Sequence, residues 1–589
     1  MAADTNANLA RIFEQMAAAL ELTGANPFRI NSDARVARVL ADLAQDVEAI
    51  VDRDPEQGMK KLAEIPGIGK GSAEKIVEYL ETGEIAEHTE LLSKVPDGLF
   101  GVLDIPGLGP KTVKLMWEQL GITSIGDLKA KLDSPELRDL PRMGDKTIAN
   151  IRKAIEFMEK SGERAPIGIV RPIAIELVGA LRKVKGAERI EFAGSLRRGR
   201  ETIGDIDILA ACKDEEAMRE AFCSHESVTQ VLARGETKCS VRLDVRGLVI
   251  QADLRLVPRA VFGAALLYFT GSKEHNVRLR ELAIRKKHRL NEYGLFKGLD
   301  ERPQESGEKP VAAAREEDVY KALGLPFIPP EIREDRGELD ADIPKLIELN
   351  DIKAELHAHT TASDGKLSID ELIAGAASRG FHTIAVTDHS QSSVIANGLN
   401  VKRLREHKKA VQTAAKKHNG ITVLFGAEVD ILPDGTLDYE DDVLAELDIV
   451  VASPHVSLRQ DGKTATKRLL RAIENPYVHI IGHPTGRMVG SREGLEPDMH
   501  ALVAAAREHS VALEINSSWK RLDLRDIHVR LVMEAGGLIA IDTDTHREGH
   551  FDNLIYGVLT GRRGWLTAKQ CVNAWPAKKL HDWLASKRR

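Results

Sequence analysis

The sequence predicts a multidomain chain with an all-α N-terminal region, an α+β middle and a C-terminal α/β barrel of seven strand–helix units. Three observations carry that expectation. A Pro-turn-Gly segment between apolar helical patterns recurs before residue 160. Short β-branched runs surround the string GDIDI. After residue 350, seven apolar runs end in polar or metal-ligating side chains. At 589 residues the chain exceeds what one hydrophobic core organises, so roughly two to four domains follow.

Composition sets the class. Hydrophobic residues make up 43% and charged residues 29%, the balance of a globular chain and not of a disordered one. No apolar run approaches the ~20 residues of a membrane span. The start, MAADTNANLARIFEQM, lacks the charged-then-apolar layout of a signal peptide, so a cytoplasmic location is expected. Cys212, Cys223, Cys239 and Cys571 stand apart without CxxC pairs and read as reduced thiols. A net charge of −7 excludes a uniformly basic coat, but local patches and backbone amides can still meet phosphates.

The first 160 residues carry helical apolar spacing, as in LARIFEQMAAALEL and ARVARVLADLAQDVEAIV. Within them LAEIPGIGKGSAEKI (62–76), LFGVLDIPGLGPKTVKLMW (99–117) and, more loosely, LRDLPRMGDKTIANI (137–151) repeat one plan. Each is an apolar helix end, a Pro-turn-Gly hairpin and a second helix. Glycines there leave hairpin amides free at a helix start, and a row of free amides is an anion site. The plan resembles the helix-hairpin-helix motif, which implies DNA-backbone contacts at Gly67, Gly69, Lys70, Gly107, Gly109 and Lys111. An ordinary helical turn with a glycine stop is the alternative for one copy, and recurrence in the same frame weighs against it.

Residues 165–335 switch to mixed strands and helices, with ERIEFAGS, DIDILAAC, SVRLDVRG and LVIQADLRLV as short strands. Asp205 and Asp207, two apart in one strand, point to the same face. Asp253 lies in the apolar run QADLRLV, where an unpaired carboxylate is costly. Three carboxylates on adjacent strands repel unless cations sit between them, and hard oxygen ligands suit Mg²⁺. A lone DxD more often marks a solvated strand end or a salt-bridged pair.

The wider context decides between these readings. Gly194-Ser195, GDIDI, DLRL, LLYFTGSKEHNVRLRELA and LNEYGLF form an ordered set that resembles the family X DNA polymerases over residues 1–335. The resemblance implies Asp205, Asp207 and Asp253 as catalytic ligands of Mg²⁺ or Mn²⁺ in a two-metal in-line displacement. It places Ser195, Arg198 and Gly204 at the triphosphate of the incoming nucleotide and Tyr268, Phe269 and Gly271 against its sugar. Asn276 and Arg280 fall on the minor-groove side of the base pair. GSLRR stands where relatives often carry GSFRR, a change that keeps apolar bulk. Lys75, in GSAEKI, matches a position where gap-filling relatives carry a Schiff-base lysine that removes 5′-deoxyribose phosphate. A plain helix-surface lysine is the competing reading.

After residue 350 the runs KAELHAH, HTIAVTDH, ITVLFGAEVD, LDIVVASPH, VHIIGHP, VALEINSS and LIAIDTDTH mostly alternate with helical segments such as SIDELIAGAASRG. Alternation predicts a parallel sheet, and functional groups at the strand ends predict a barrel whose site lies at its carboxyl face. Singly, each histidine reads as an ordinary surface or core-edge residue. Six at strand ends, with Asp364, Glu428 and Asp544 among them, make coincidence a poor account. The pattern resembles the PHP phosphoesterase domain over residues 350–570. That implies a trinuclear cluster on His357, His359, Asp364, His389, Glu428, His455, His483, Asp544 and His546, and the mixed ligands favour Mn²⁺, Zn²⁺ or Fe. Arg487, after the His483 motif, is expected beside a substrate phosphate or in a surface salt bridge.

Together the resemblances divide the chain into an N-terminal helical domain (1–85), a fingers-like helical domain (86–160), a nucleotidyltransferase palm (161–262), a thumb (263–336), a linker (337–349) and a distorted (β/α)7 PHP barrel (350–589). They imply a bacterial polymerase that fills short gaps in base-excision or end repair, using gapped or nicked double-stranded DNA and dNTPs. A 3′→5′ exonuclease or related phosphoesterase would reside in the barrel. A monomer, nucleoid-associated and without a membrane partner, is the default. Two alternatives stay open: a DNA-end nuclease whose polymerase half only grips DNA, and a barrel that never touches DNA.

Overall fold

The N-terminal region folds into helices that bury their apolar stripes against one another. The computed structural model describes residues 2–587 except 43–46, 52–54, 66, 97, 104, 106–107, 142, 146, 150, 153–154, 156–163, 246–247, 299–303 and 305–306. The chain divides into two units, Met1–Gly162 and Glu163–Arg589. In the first, Phe13, Met16 and Leu20 of the helix Ala2–Thr23 share a core with Val36 and Leu40 of Pro27–Asp42.

The hairpin copies have matching backbones. Gly69 (φ −86°, ψ 168°) and Gly109 (φ −93°, ψ 164°) begin the helices Lys70–Thr82 and Pro110–Leu120, with no side-chain cap. In each, the glycine carbonyl accepts from the amides three and four residues on. Gly144 of the looser third copy does the same with Thr147 and Ile148. A Cβ at Gly69 or Gly109 would meet nothing within 4 Å, so both turns stand open. Gly67 instead adopts φ +103° against Val39, a conformation that L-residues resist. Gly107 lies outside the described residues.

The second unit starts with a five-stranded sheet of spatial order β1-β2-β5-β4-β3. Its strands are β1 Ala187–Phe192, β2 Asp205–Cys212, β3 Val228–Arg234, β4 Lys238–Val245 and β5 Leu248–Leu256. Only β2 and β5 run parallel. Period two sorts β2 cleanly. Ile206, Ile208 and Ala210 pack under the helix Ile167–Leu181, while Leu209 and Ala211 meet Phe262, Ala265 and Leu266 of the helix Phe262–Thr270. Asp205 and Asp207 belong to this second set. The thumb follows, with the helices Lys273–Arg285 and Glu316–Ala322 and a hairpin of His288–Asn291 with Gly294–Lys297. The charged segment 337–349 is ordered by burial of Glu338 beside His275, of Leu346 in the thumb core and of Ile347 in the barrel core.

Seven parallel strands complete the unit, paired in chain order. They are β6 Ala354–Glu355, β7 Thr383–Val386, β8 Thr422–Asp430, β9 Ile449–Ser453, β10 Ile480–Ile481, β11 Ala512–Asn516 and β12 Leu538–Asp542. The sheet nearly closes, because Ala358 bridges Thr545 and the His359 amide donates to the Thr545 carbonyl at 2.8 Å. Small residues such as Ala354, Ala385, Ala512 and Ala540 line the interior with Val451 and Ile480. They pack on Trp575, Leu580 and Trp583 of the C-terminal segment. That segment covers the amino-terminal end of the barrel and leaves the carboxyl ends for the polar residues. No helix of the described residues is long and apolar enough to cross a membrane.

Candidate active sites

The first site forms where β2 and β5 lie side by side. Parallel pairing puts Asp207 directly opposite Asp253 and Asp205 opposite Gln251, so the three aspartates gather on one sheet face. Burial, then Asp205 and Asp253, push the Asp207 carboxyl up to about 6. Asp253 is treated differently. Burial would raise its carboxyl, but Lys238, Ser240 and Gln251 hold it below the usual range. Lys238 Nζ stands 2.7 Å from Asp253 Oδ2, and Gln251 Nε2 donates to Oδ1 at 3.0 Å. A crowded carboxylate group with one member strained toward neutrality fits a cation between them.

The turn between β1 and β2 faces this group. Gly194 takes φ +59°, and a Cβ there would collide with Asp207 Oδ2, so glycine alone admits the carboxylate. Ser195 Oγ is buried without a hydrogen-bond partner, as fits a hydroxyl awaiting a ligand oxygen. Gly204 is half-buried at the start of β2. Arg198 is committed elsewhere: its Nε donates to Glu334 Oε1 at 3.0 Å and its Nη1 to the Thr270 carbonyl at 2.8 Å. Its neighbour Arg197 makes a bidentate pair with Glu316, which also binds Arg333.

Tyr268 and Phe269 end the helix Phe262–Thr270 with ring centroids 5.1 Å apart, and the Arg255 guanidinium lies 4.4 Å over the Phe269 ring. Asn276 Nδ2 donates to the Tyr268 carbonyl at 2.7 Å and to the Gly271 carbonyl at 3.3 Å, so it closes that helix end. A Cβ on Gly271 would press to 2.5 Å from Asn276 Oδ1. Arg280 is exposed, with Nε on the Asn276 carbonyl.

The second site sits at the carboxyl face of the barrel, where all nine expected residues converge. His359, Asp364, His389 and His546 form one group whose ligand atoms lie within 4.8 Å of one another; His357, His359 and Asp544 form a second; His389, Glu428 and His455 a third. Glu428 is central: its Oε1 lies 3.3 Å from His357 Nε2, 3.2 Å from His455 Nε2 and 3.0 Å from His483 Nε2, and its Oε2 2.9 Å from His389 Nδ1. Burial would raise the Glu428 carboxyl, yet the His455, His357 and His389 imidazoles hold it well below its ordinary value. His357 Nε2, His359 Nε2 and Asp544 Oδ1 are buried without a hydrogen bond, although the two nitrogens stand 3.6 and 3.1 Å from the Asp544 oxygen. Their ligand atoms all lie within 4.8 Å of one another, close enough to share a cation. The donor set, imidazole with carboxylate, suits transition-metal cations.

An outer layer orients these side chains, and most of it escaped the sequence reading. Glu514 accepts from His357 Nδ1 at 2.6 Å and, through its other oxygen, from the His483 amide at 2.6 Å. Asp430 bonds His455 Nδ1, and Asn516 Nδ2 donates to Asp544 Oδ2 at 3.0 Å. Asp388 takes the Thr360 and Ser363 amides, which shapes the loop that carries Asp364. Such partners fix ring orientation around a metal. Their signal was present: Glu428 with Asp430, and Glu514 with Asn516, sit two apart on strands β8 and β11 and therefore share a face.

Four further residues have defined surroundings. Lys75 Nζ lies 2.7 Å from Glu87 Oε2 and 3.7 Å from Asp33 Oδ1. Arg487 does not join the barrel cluster; its Nη2 donates to Glu201 Oε2 of the palm at 2.7 Å. Lys70 and Lys111 are exposed beside the open hairpins.

Known proteins agree with this architecture. Residues 265–334 match the DNA polymerase beta thumb, 4–85 a helix-hairpin-helix domain, 101–156 a SAM-like helix-hairpin-helix tandem and 355–577 the PHP domain. The chain is 38% identical to the DNA polymerase/3′-5′ exonuclease PolX of Bacillus subtilis over 580 residues, which is 98% of this chain and 99% of that one. DNA polymerase lambda of Rattus norvegicus is 26% identical over 299 residues, 48% of this chain and 49% of that one. A probable phosphatase of Caldicellulosiruptor bescii is 32% identical over 210 residues, 33% of this chain and 80% of that one. End-to-end similarity, a polymerase thumb and a PHP barrel on one polypeptide leave a single family: the chain belongs to the bacterial family X DNA polymerases that carry a C-terminal PHP domain.

Proposed function

We propose that this chain fills short gaps in DNA during base-excision or end repair and trims or unblocks 3′ ends with its barrel. One observation supports the reading above others: a palm carboxylate group and a barrel group of eight potential ligands, with His483 beside Glu428, occur on the same polypeptide. In this reading Asp205, Asp207 and Asp253 hold Mg²⁺ or Mn²⁺, and the nine barrel residues hold Mn²⁺, Zn²⁺ or Fe. When bound, the palm cations supply charge neutralisation at the triphosphate and the barrel cations supply Lewis acidity at the phosphodiester.

The chain's own residues do the rest. Ser195 Oγ, free of other partners, and the Gly204 backbone receive triphosphate oxygens. Arg198 joins them through donors that Glu334 and Thr270 leave over. Tyr268, Phe269 and Gly271 back the sugar, while Asn276 and Arg280 meet the base pair. The open turns at Gly69 and Gly109, with Lys70 and Lys111 beside them, grip DNA backbones without reading sequence, and Gly67 and Gly107 complete the same two hairpin motifs in the sequence. Lys75 is the proposed lyase nucleophile, for which Glu87 must release it; a borohydride-trapped adduct that survives Lys75→Ala would end that assignment. A monomer acting in the cytoplasm completes the reading.

Asp205→Ala and His357→Ala test it together on a labelled one-nucleotide gap with dNTPs and Mn²⁺. The first should lose incorporation and keep 3′ degradation; the second should do the reverse. Incorporation by Asp205→Ala, or unchanged degradation by His357→Ala, would overturn the corresponding half.

A further inference from the structure

We infer that the PHP barrel positions the nucleotide-holding turn of the palm, with Arg487, Arg525 and Arg563 as positioning residues for polymerisation. The inference rests on the proposed role of the turn from Gly194 to Gly204. That turn carries Ser195 near one end and leads into Asp205 at the other, so the placement of its middle sets the spacing between them.

The middle is held from the barrel. Arg487 Nη2 donates to Glu201 Oε2 at 2.7 Å, and Arg525 Nη2 donates to Glu201 Oε1 at 3.2 Å. Arg563 Nη1 donates to the Arg198 carbonyl at 2.9 Å and to Glu334 Oε1, the same carboxylate that binds the Arg198 side chain, at 2.9 Å. Between these points Gly199 adopts φ +64°, and a Cβ on it would lie 3.1 Å from Leu559 of the barrel helix Leu554–Arg563. The turn is therefore pressed against the barrel with no side chain between.

Charge and burial make this contact expensive to form loosely. Arg487 and Arg563 are each 5% exposed. A guanidinium so far from water is tolerated only when its N–H groups are paired in good geometry. Arg487 is paired by Glu201 and the Leu522 carbonyl, and Arg563 by Asp526, Glu334 and the Arg198 carbonyl. Apolar contact adds a second tie, since Leu522 and Tyr556 of the barrel are buried in the palm core. An interface serving only to tether two domains could pair these arginines anywhere on the palm. Here their contacts with the palm fall on the four residues from Arg198 to Glu201, while Arg563 also reaches Glu334, the partner of the Arg198 side chain.

The test uses the full chain with Glu201→Gln, Arg487→Met, the double variant and Arg525→Ala, whose side chain is half-exposed. Gap-filling kcat and the KM for dATP opposite thymine are measured beside 3′→5′ degradation of single-stranded DNA. Affinity for dATP with Ca²⁺ is read by calorimetry, which reports on the turn even in a chain that incorporates nothing. Misplacement of the nucleotide-holding turn predicts a KM and Kd for dATP raised about fivefold or more in Glu201→Gln and Arg487→Met, with degradation within about twofold of wild type. The double variant should be no worse than Glu201→Gln alone, because that substitution already weakens the contact that Arg487→Met removes. Arg525→Ala should show the same effect in smaller measure. A smaller change in dATP affinity, a parallel fall in degradation, or multiplied effects in the double variant would overturn the inference. Failure of the wild type to incorporate would instead count against gap filling.

Discussion

Asp207 and Asp253 are register partners on adjacent parallel strands, one half-buried and pushed toward neutrality, the other held ionised by Lys238. The contrast arises because burial and the two neighbouring carboxylates act on Asp207, whereas Asp253 receives direct hydrogen bonds from Lys238, Ser240 and Gln251. A cation entering this face therefore meets one carboxylate already charged and gains most by ionising the other. Asp253→Asn should cut nucleotide incorporation by about 100-fold or more, since several kcal/mol of charge stabilisation are lost. Steady-state gap filling measures this, and a drop below tenfold would remove Asp253 from the metal ligands.

Gly194→Ala probes the same group from the turn. The new Cβ must occupy the place of Asp207 Oδ2 at a φ of +59°, which L-residues adopt at a cost of about 1 kcal/mol. Incorporation should fall at least tenfold through displacement of Asp207, while degradation by the barrel stays unchanged. Equal loss of both activities would point to general misfolding.

Glu514→Gln tests the outer layer of the barrel. The carboxylate orients His357 and binds the His483 amide, and such supports are worth about 10–100-fold in metal affinity or activity. Dialysis against graded chelator followed by elemental analysis should show weaker retention of barrel metal, with palm activity intact. Retention equal to wild type would leave Glu514 without that role.

Glu316 gives a pH signature. Burial would raise its carboxyl, but Arg197 and Arg333 hold it at about 2, against an ordinary 4.5. A folded-state value below the unfolded one means stability present above pH 4.5 and lost as pH falls from 4.5 toward 2. The depression corresponds to ~3 kcal/mol. Melting temperatures of wild type and Glu316→Gln should differ at pH 6 and draw together as the pH falls below 4.5. A gap independent of pH would rule out this ion pair as its source.

Much of this was legible because function is written locally. HAH and GDIDI place candidate ligands a fixed two residues apart, strand periodicity turns each pair onto one face, and the barrel expectation gathers the strand ends. The hairpin repeats were readable for the same reason, a short frame with glycine at fixed points. What stayed hidden pairs residues remote in sequence. Arg487 could not be assigned to Glu201, nor Arg198 to Glu334, because a charged side chain carries no mark of its partner. The segment 337–349 reads as an interdomain linker because its anchors, Glu338 to His275 and Leu346 to the thumb, are set by the folded surface they meet.

Anomalous diffraction from crystals of the intact chain grown with Mn²⁺ is the most direct measurement. Two separate centres should appear, one bounded by Asp205, Asp207 and Asp253 and the other enclosed by the nine barrel side chains. Scattering peaks confined to one of these places, or located away from both, would contradict the account.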